Sequence, residues 1–122
     1  MLPFARVSII GLGLIGSSIA RAVRDAMPTV SLSGYDADPD VRETARALTL
    51  CDDIADTAGA AVTDADLVIL CVPLGAMAMV AESIANDLPP EAVISDVGSS
   101  KAAVTAALTA ALPDHEIGRA HV

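Results

Sequence analysis

The stretch from residue 6 to residue 25, RVSIIGLGLIGSSIARAVRD, passes from a strand-like segment through three glycines into an amphipathic one. No other feature restricts the fold so tightly. Gly11, Gly13 and Gly16 follow the spacing G-x-G-x-x-G, with Arg6 to Ile10 before it as a strand and Leu14 to Asp25 after it as a helix. In that setting the first glycine permits a tight turn and the second leaves the backbone bare for a close approach. The third lets the helix pack against the sheet. Ile15, Ile19, Ala22 and Val23 are expected to form the apolar stripe of that helix.

The rest of the chain keeps alternating. Val30 to Tyr35 reads as a second strand. Asp38 is placed to cap, and Pro39 to begin, a helix reaching about Leu48. Cys51 to Thr63 holds one short strand and one short helix. Leu67 to Val72 is apolar without alternation, as in a strand buried on both faces of a parallel sheet. Ala76 to Asp87 reads as a helix, Ala92 to Asp96 as a strand, and Ser100 to Leu112 as a helix with Val104, Leu108 and Ala111 on one stripe. The chain stops after it, where one more strand would be expected. Strand and helix in strict succession predict an α/β fold, a Rossmann-type doubly wound parallel sheet with helices on both faces. At 122 residues and 53% hydrophobic, the chain suits one domain with a substantial core.

Composition removes several classes of function. A net charge of −9 disfavours nucleic acid and anionic membrane surfaces, and 2% aromatics leaves no base-stacking platform. The longest apolar run, Leu67 to Ala81, is broken by Pro73 and Gly75 and is too short to span a bilayer. The N-terminus lacks the pattern of a signal peptide, so a cytoplasmic location is expected. Cys51 and Cys71 fit no metal spacing, and Cys71 is expected to be a small core residue. No metal is expected.

What lies against the glycines follows from charge. A helix N-terminus offers unpaired N–H groups and a partial positive charge, which suit phosphate. Asp36, 20 residues after Gly16 at the end of the second strand, stands where a carboxylate accepts hydrogen bonds from an adenosine ribose. Together they predict a dinucleotide held by Gly11, Leu12, Gly13, Leu14, Ile15 and Gly16, with Asp36 on the ribose. The competing account is a glycine turn that packs helix on strand and binds nothing. Ala37 and Asp38 follow Asp36 without a basic residue, so NAD is expected over NADP. Val72 and Pro73 leave the fourth strand beside the cofactor crevice, although a plain strand stop accounts for Pro73 equally well. Residues 95–104, SDVGSSKAAV, lie at another strand's carboxyl end; by themselves they read as a capped helix. His115 and His121 have no triad partner in the sequence and read as surface histidines.

Four segments in this order, GLGLIGSSIARAV, GYDADP, DLVILCVPLGAM and DVGSSKAAV, resemble the prephenate/arogenate (cyclohexadienyl) dehydrogenases of tyrosine biosynthesis. The likeness covers Arg6 to about His115. It implies NAD(P)-dependent oxidative decarboxylation of prephenate or arogenate, with a histidine taking the proton from the ring hydroxyl while hydride passes to the nicotinamide. The serine of the family's D-x-G-S-x-K motif falls on Ser99, which is then expected to hydrogen-bond that histidine and the substrate hydroxyl. The family continues with a G-H-P motif holding the histidine, then a helical domain that dimerises and supplies an arginine. Here no glycine precedes His121, and Val122 stands for the proline. IGRAHV also matches one translated frame of a common sequencing adapter. Residues 1–116 are therefore expected to be the dinucleotide-binding domain, incomplete at its C-terminal end, and 117–122 a non-native tail. The helical dimerisation domain is expected to be absent and the fragment alone inactive. Two rivals remain. One is another β-hydroxyacid or imine-type dehydrogenase domain, in which a methionine tends to replace Ile15 and DVGSSK is lacking. The other is a non-enzymatic NAD(H) sensor, which needs no serine at position 99.

Overall fold

A computed structural model describes residues 4–96 and 117–119 of the chain. The strands are β1 (Arg6–Ile10), β2 (Ser31–Tyr35), β3 (Asp53–Ile54), β4 (Leu67–Leu70), β5 (Val93–Asp96) and β6 (Ile117–Arg119). The helices among them are α1 (Leu14–Ala26), α2 (Pro39–Ala47), α3 (Ala58–Val62) and α4 (Leu74–Ile84). The strands form one sheet in the order β3-β2-β1-β4-β5-β6, every pair parallel. β1 lies in the middle in register with both neighbours, Val7 opposite Leu32 on one side and Leu67 on the other.

Side-chain alternation divides the core in two. Val7, Ile9 and Leu32 face one side of the sheet, where Ala20 and Val23 of α1 and Ala45 of α2 cover them. Ile10, Val68, Leu70 and Ile94 face the other, beneath Ala61 and Val62 of α3 and Met77, Ala81 and Ile84 of α4. Right-handed crossovers explain the division: the chain winds outward from β1 through β2 to β3, then returns to place β4 on β1's other edge, so its helices change face. The reversal between β1 and β4 opens a crevice at the carboxyl ends of the strands. The doubly wound parallel sheet expected from the sequence is thus present.

Several boundaries differ from expectation. β4 stops at Leu70 rather than Val72, and α4 starts at Leu74 rather than Ala76 and ends at Ile84 rather than Asp87. Pro73 is the cause of the early start: with φ −59° it forms the N-cap of α4, and its carbonyl accepts the N–H of Ala76. The buried face of α1 consists of Gly16, Ala20 and Val23, with Ile19 packed at its margin, whereas Ile15 and Ala22 point outward. Gly16 must face the sheet, and that turns Ile15 away. The helix expected over Ser100 to Leu112 lies outside the described residues. β6, which pairs Ile94 with Ile117 and Asp96 with Arg119, supplies a further strand where the chain is expected to stop short of one, within the segment expected to be a tail.

α2 ends in a conformation its sequence resists. Thr49, just past the C-cap Leu48, has φ +51°, and its N–H donates to the Arg46 carbonyl. A β-branched side chain is poorly suited to left-handed backbone, while glycine is not. Thr49→Gly is therefore expected to stabilise the fold by about 1 kcal/mol. Its urea midpoint should rise; an unchanged or lower midpoint would contradict the assignment of strain.

Candidate functional site

The loop leaving β1 is shaped by what it touches. Gly11 has φ +99°, and a Cβ there would stand 2.5 Å from the Cys71 carbonyl oxygen. Its N–H donates to the Tyr35 carbonyl at 2.7 Å, tying the loop to the end of β2. A Cβ on Gly16 would come within 1.8 Å of the Gly11 carbonyl oxygen, so α1 reaches its seat only with glycine there. Gly13 is different: a Cβ there would meet nothing within 4 Å. Its φ of −69° suits any residue, so packing does not explain its bareness.

Gly13 is also the N-cap of α1, where no side chain caps the helix and no acidic residue occupies the first turn. The space beside Gly13 is open, at the positive end of a 13-residue helix. The first two side chains of the helix, Leu14 and Ile15, are 86% and 57% exposed, an uncovered apolar rim beside an anion-seeking backbone. Ser17 and Ser18 turn their hydroxyls back onto the Leu12 and Leu14 carbonyls.

Asp36 stands at the adjoining strand end, just past β2. One carboxylate oxygen accepts the N–H of Leu12 at 2.8 Å and the other accepts the N–H of Asp38 at 2.9 Å. Two bonds leave lone pairs on both oxygens for further donors. Asp38 caps α2 as expected, accepting the N–H of Asp40, with Pro39 in the first helical position. Val72 lies against the β1 loop, its Cγ1 being 3.1 Å from where a Gly11 Cβ would be, and Pro73 is exposed at the start of α4. Gly11, Leu12, Gly13, Leu14, Ile15, Gly16, Asp36, Val72 and Pro73 thus come together at the carboxyl ends of β1, β2 and β4. Ser99 lies outside the described residues; Asp96, shortly before it, is buried at the corresponding end of β5.

Two features were not foreseen in the sequence. An apolar cavity of about 450 Å³ opens beside the turn after β2, lined by Tyr35, Ala37, Ala58, Met79 and Val80. Arg42, on the first turn of α2, donates through Nη1 to the carbonyls of Asp36 at 2.8 Å and Ala37 at 3.4 Å, and its guanidinium lies 5.6 Å from the Tyr35 ring centre. A basic residue therefore adjoins Asp36 in space although none follows it directly in sequence. The signal that could have revealed it is helical geometry: the turn after β2 folds back over the first turn of α2, where position 42 sits.

The cysteines offer no chemistry here. Cys51 is buried, whereas Cys71, expected as a core residue, is only partly buried against the same side of the sheet. Burial pushes both thiols up to about 11, so each stays protonated and unreactive near neutral pH. Among the described residues no cluster of three metal-binding side chains occurs, and no helix is long and apolar enough to cross a membrane.

Comparison with known proteins gives this arrangement relatives. The sequence model for the prephenate dehydrogenase nucleotide-binding domain matches residues 19–121. A cyclohexadienyl dehydrogenase of Zymomonas mobilis is 47% identical over 121 residues, 99% of this chain and 41% of that protein. A prephenate dehydrogenase of Lactococcus lactis is 35% identical over 100 residues, 81% of this chain and 28% of that protein. The crystal structure of prephenate dehydrogenase from A. aeolicus in complex with hydroxyphenyl propionate and NAD+ superposes with a TM-score of 0.82 at 28% identity, covering 91% of this chain and 39% of that one. The chain spans less than half the length of each of these relatives.

Proposed function

This chain belongs to the prephenate dehydrogenase family, and on that premise we propose that it is the nucleotide-binding part of an NAD-dependent oxidoreductase. The reaction is the oxidative decarboxylation of prephenate or arogenate in tyrosine biosynthesis. The observation that carries the cofactor reading is Gly13, a bare, uncrowded N-cap on a helix with no acid and no side-chain cap at its start. Fit supports it, because a Cβ at Gly13 would occupy the space through which a pyrophosphate reaches the N–H groups of α1. Asp36, with lone pairs left after Leu12 and Asp38, receives the ribose hydroxyls. The apolar cavity beside Ala37 takes the adenine. Leu14 and Ile15, with Val72 and Pro73 across the crevice, keep water from the remainder of the cofactor.

When bound, the nicotinamide supplies a hydride acceptor. Ser99 is assigned to orient the proton-accepting histidine and the substrate hydroxyl. The rest of the parent enzyme is assigned that histidine, the substrate arginine and a homodimer contact. The protein acts in the cytoplasm on a small molecule, without nucleic acid or membrane.

NAD is assigned over NADP because a 2′-phosphate would approach the Asp36 carboxylate, with Asp38 and Asp40 close behind. An anion set against a carboxylate in this way costs on the order of 1–3 kcal/mol. NADH should therefore bind at least about tenfold more tightly than NADPH in paired titrations at one ionic strength. Equal dissociation constants would remove this assignment.

A further inference from the structure

We infer that Arg42 is a positioning residue that holds Asp36 in its cofactor-binding orientation by clamping three successive residues of the β2–α2 turn. The inference rests on the cofactor reading above. Arg42 lies on α2, yet every contact found for its guanidinium is with residues 35–37. It stands 5.6 Å from the Tyr35 ring centre, within cation–π range, and its Nη1 donates to the Asp36 and Ala37 carbonyls. The first two of these residues in turn hold the glycine loop. The Tyr35 carbonyl accepts the Gly11 N–H and the Asp36 carboxylate accepts the Leu12 N–H. A chain of contacts thus runs from α2 through the turn to the backbone that faces the phosphates.

The physical need for such a clamp is electrostatic. Asp36, Asp38 and Asp40 lie within five residues, and the N–H groups of Leu12 and Asp38 are the donors found for the Asp36 side chain. Repulsion among the three carboxylates favours a turn that opens. A guanidinium bound to two turn carbonyls opposes that opening from the backbone side while leaving the carboxylate oxygens free to accept. Arg42 in this role does not touch the cofactor. It acts only through Asp36.

Two measurements on the 122-residue chain test this. The first is amide hydrogen exchange without cofactor. Arg42→Ala should raise exchange at the Leu12 and Asp38 amides at least about tenfold, while the core amides of Val68 and Ile94 keep their protection. Unchanged exchange at Leu12 would overturn the inference. Should the core amides also lose protection, Arg42→Gln, which keeps a donor to the turn carbonyls without the charge, carries the same comparison at intermediate size. The second is a double-substitution cycle read by NADH titration. Arg42→Ala should weaken NADH about tenfold in the parent chain and less than about twofold in an Asp36→Ala background. An equal loss in both backgrounds would overturn the inference, as would a loss confined to NADPH, which would make Arg42 a phosphate ligand. A parent chain that fails to bind NADH would remove the cofactor reading itself; the exchange experiment, which needs no cofactor, would still decide the clamp.

Discussion

Gly16→Ala is expected to cost more than about 3 kcal/mol of stability and to abolish NADH binding, because the new methyl would have to enter backbone. Its Cβ would stand 1.8 Å from the Gly11 carbonyl oxygen and 2.9 Å from the Gly11 carbonyl carbon. Neither neighbour can swing aside as a side-chain end could. Gly11 is pinned by its N–H bond to Tyr35 and by the Cys71 carbonyl on the side where a Cβ would point, so the strain must pass into α1. Lifting the start of α1 by the required ångström or more would uncover Ile9 and Leu32 beneath Ala20 and Val23. It would also move the helix N-terminus away from where the phosphates are assigned. Chemical denaturation and NADH titration of the variant check both halves. A stability within about 1 kcal/mol of the parent's would show that the contact between helix and loop is looser than the structure has it.

The sequence made some of this legible and not the rest, for physical reasons. The β1–α1 junction and Asp36 could be placed because backbone demands choose their residues. Only glycine tolerates φ +99° at position 11, and only glycine fits at 16. The Asp38–Pro39 helix start was equally readable, since capping is a local bond, here to the N–H of Asp40. The facing of α1 was harder. Ile15, Ile19, Ala22 and Val23 form as regular a stripe as Gly16, Ala20 and Val23, and hydrophobicity alone prefers the isoleucines. Close packing at Gly16 settles the rotation and leaves Ile15 57% exposed. The start of α4 differs because a proline after a strand reads as a loop residue, whereas its fixed φ is equally at home before the first helical residue. Arg42 does not stand beside Asp36 in the sequence. Its bonds run from a side chain to carbonyls five and six positions earlier, and carbonyls leave no trace in composition.

Whether a cofactor's phosphates sit at the N-terminus of α1 is decided by Gly13→Asp. Aspartate is among the best N-caps, the space at Gly13 is open, and φ −69° suits it, so the variant should be as stable as the parent or about 1 kcal/mol more so. The same carboxylate would occupy the N–H groups of the first turn and set a negative charge where the pyrophosphate is assigned. Affinity should fall more than about 100-fold, the sum of lost phosphate bonds and new repulsion. Few substitutions are expected to raise stability while removing function, and a glycine turn that serves packing alone predicts no such divergence. The measurement is a melting curve and an NADH titration on the parent and Gly13→Asp chains side by side. The expected result is a melting temperature equal or higher in the variant, with NADH binding seen only in the parent. NADH binding of equal strength in both, or in neither, would contradict it.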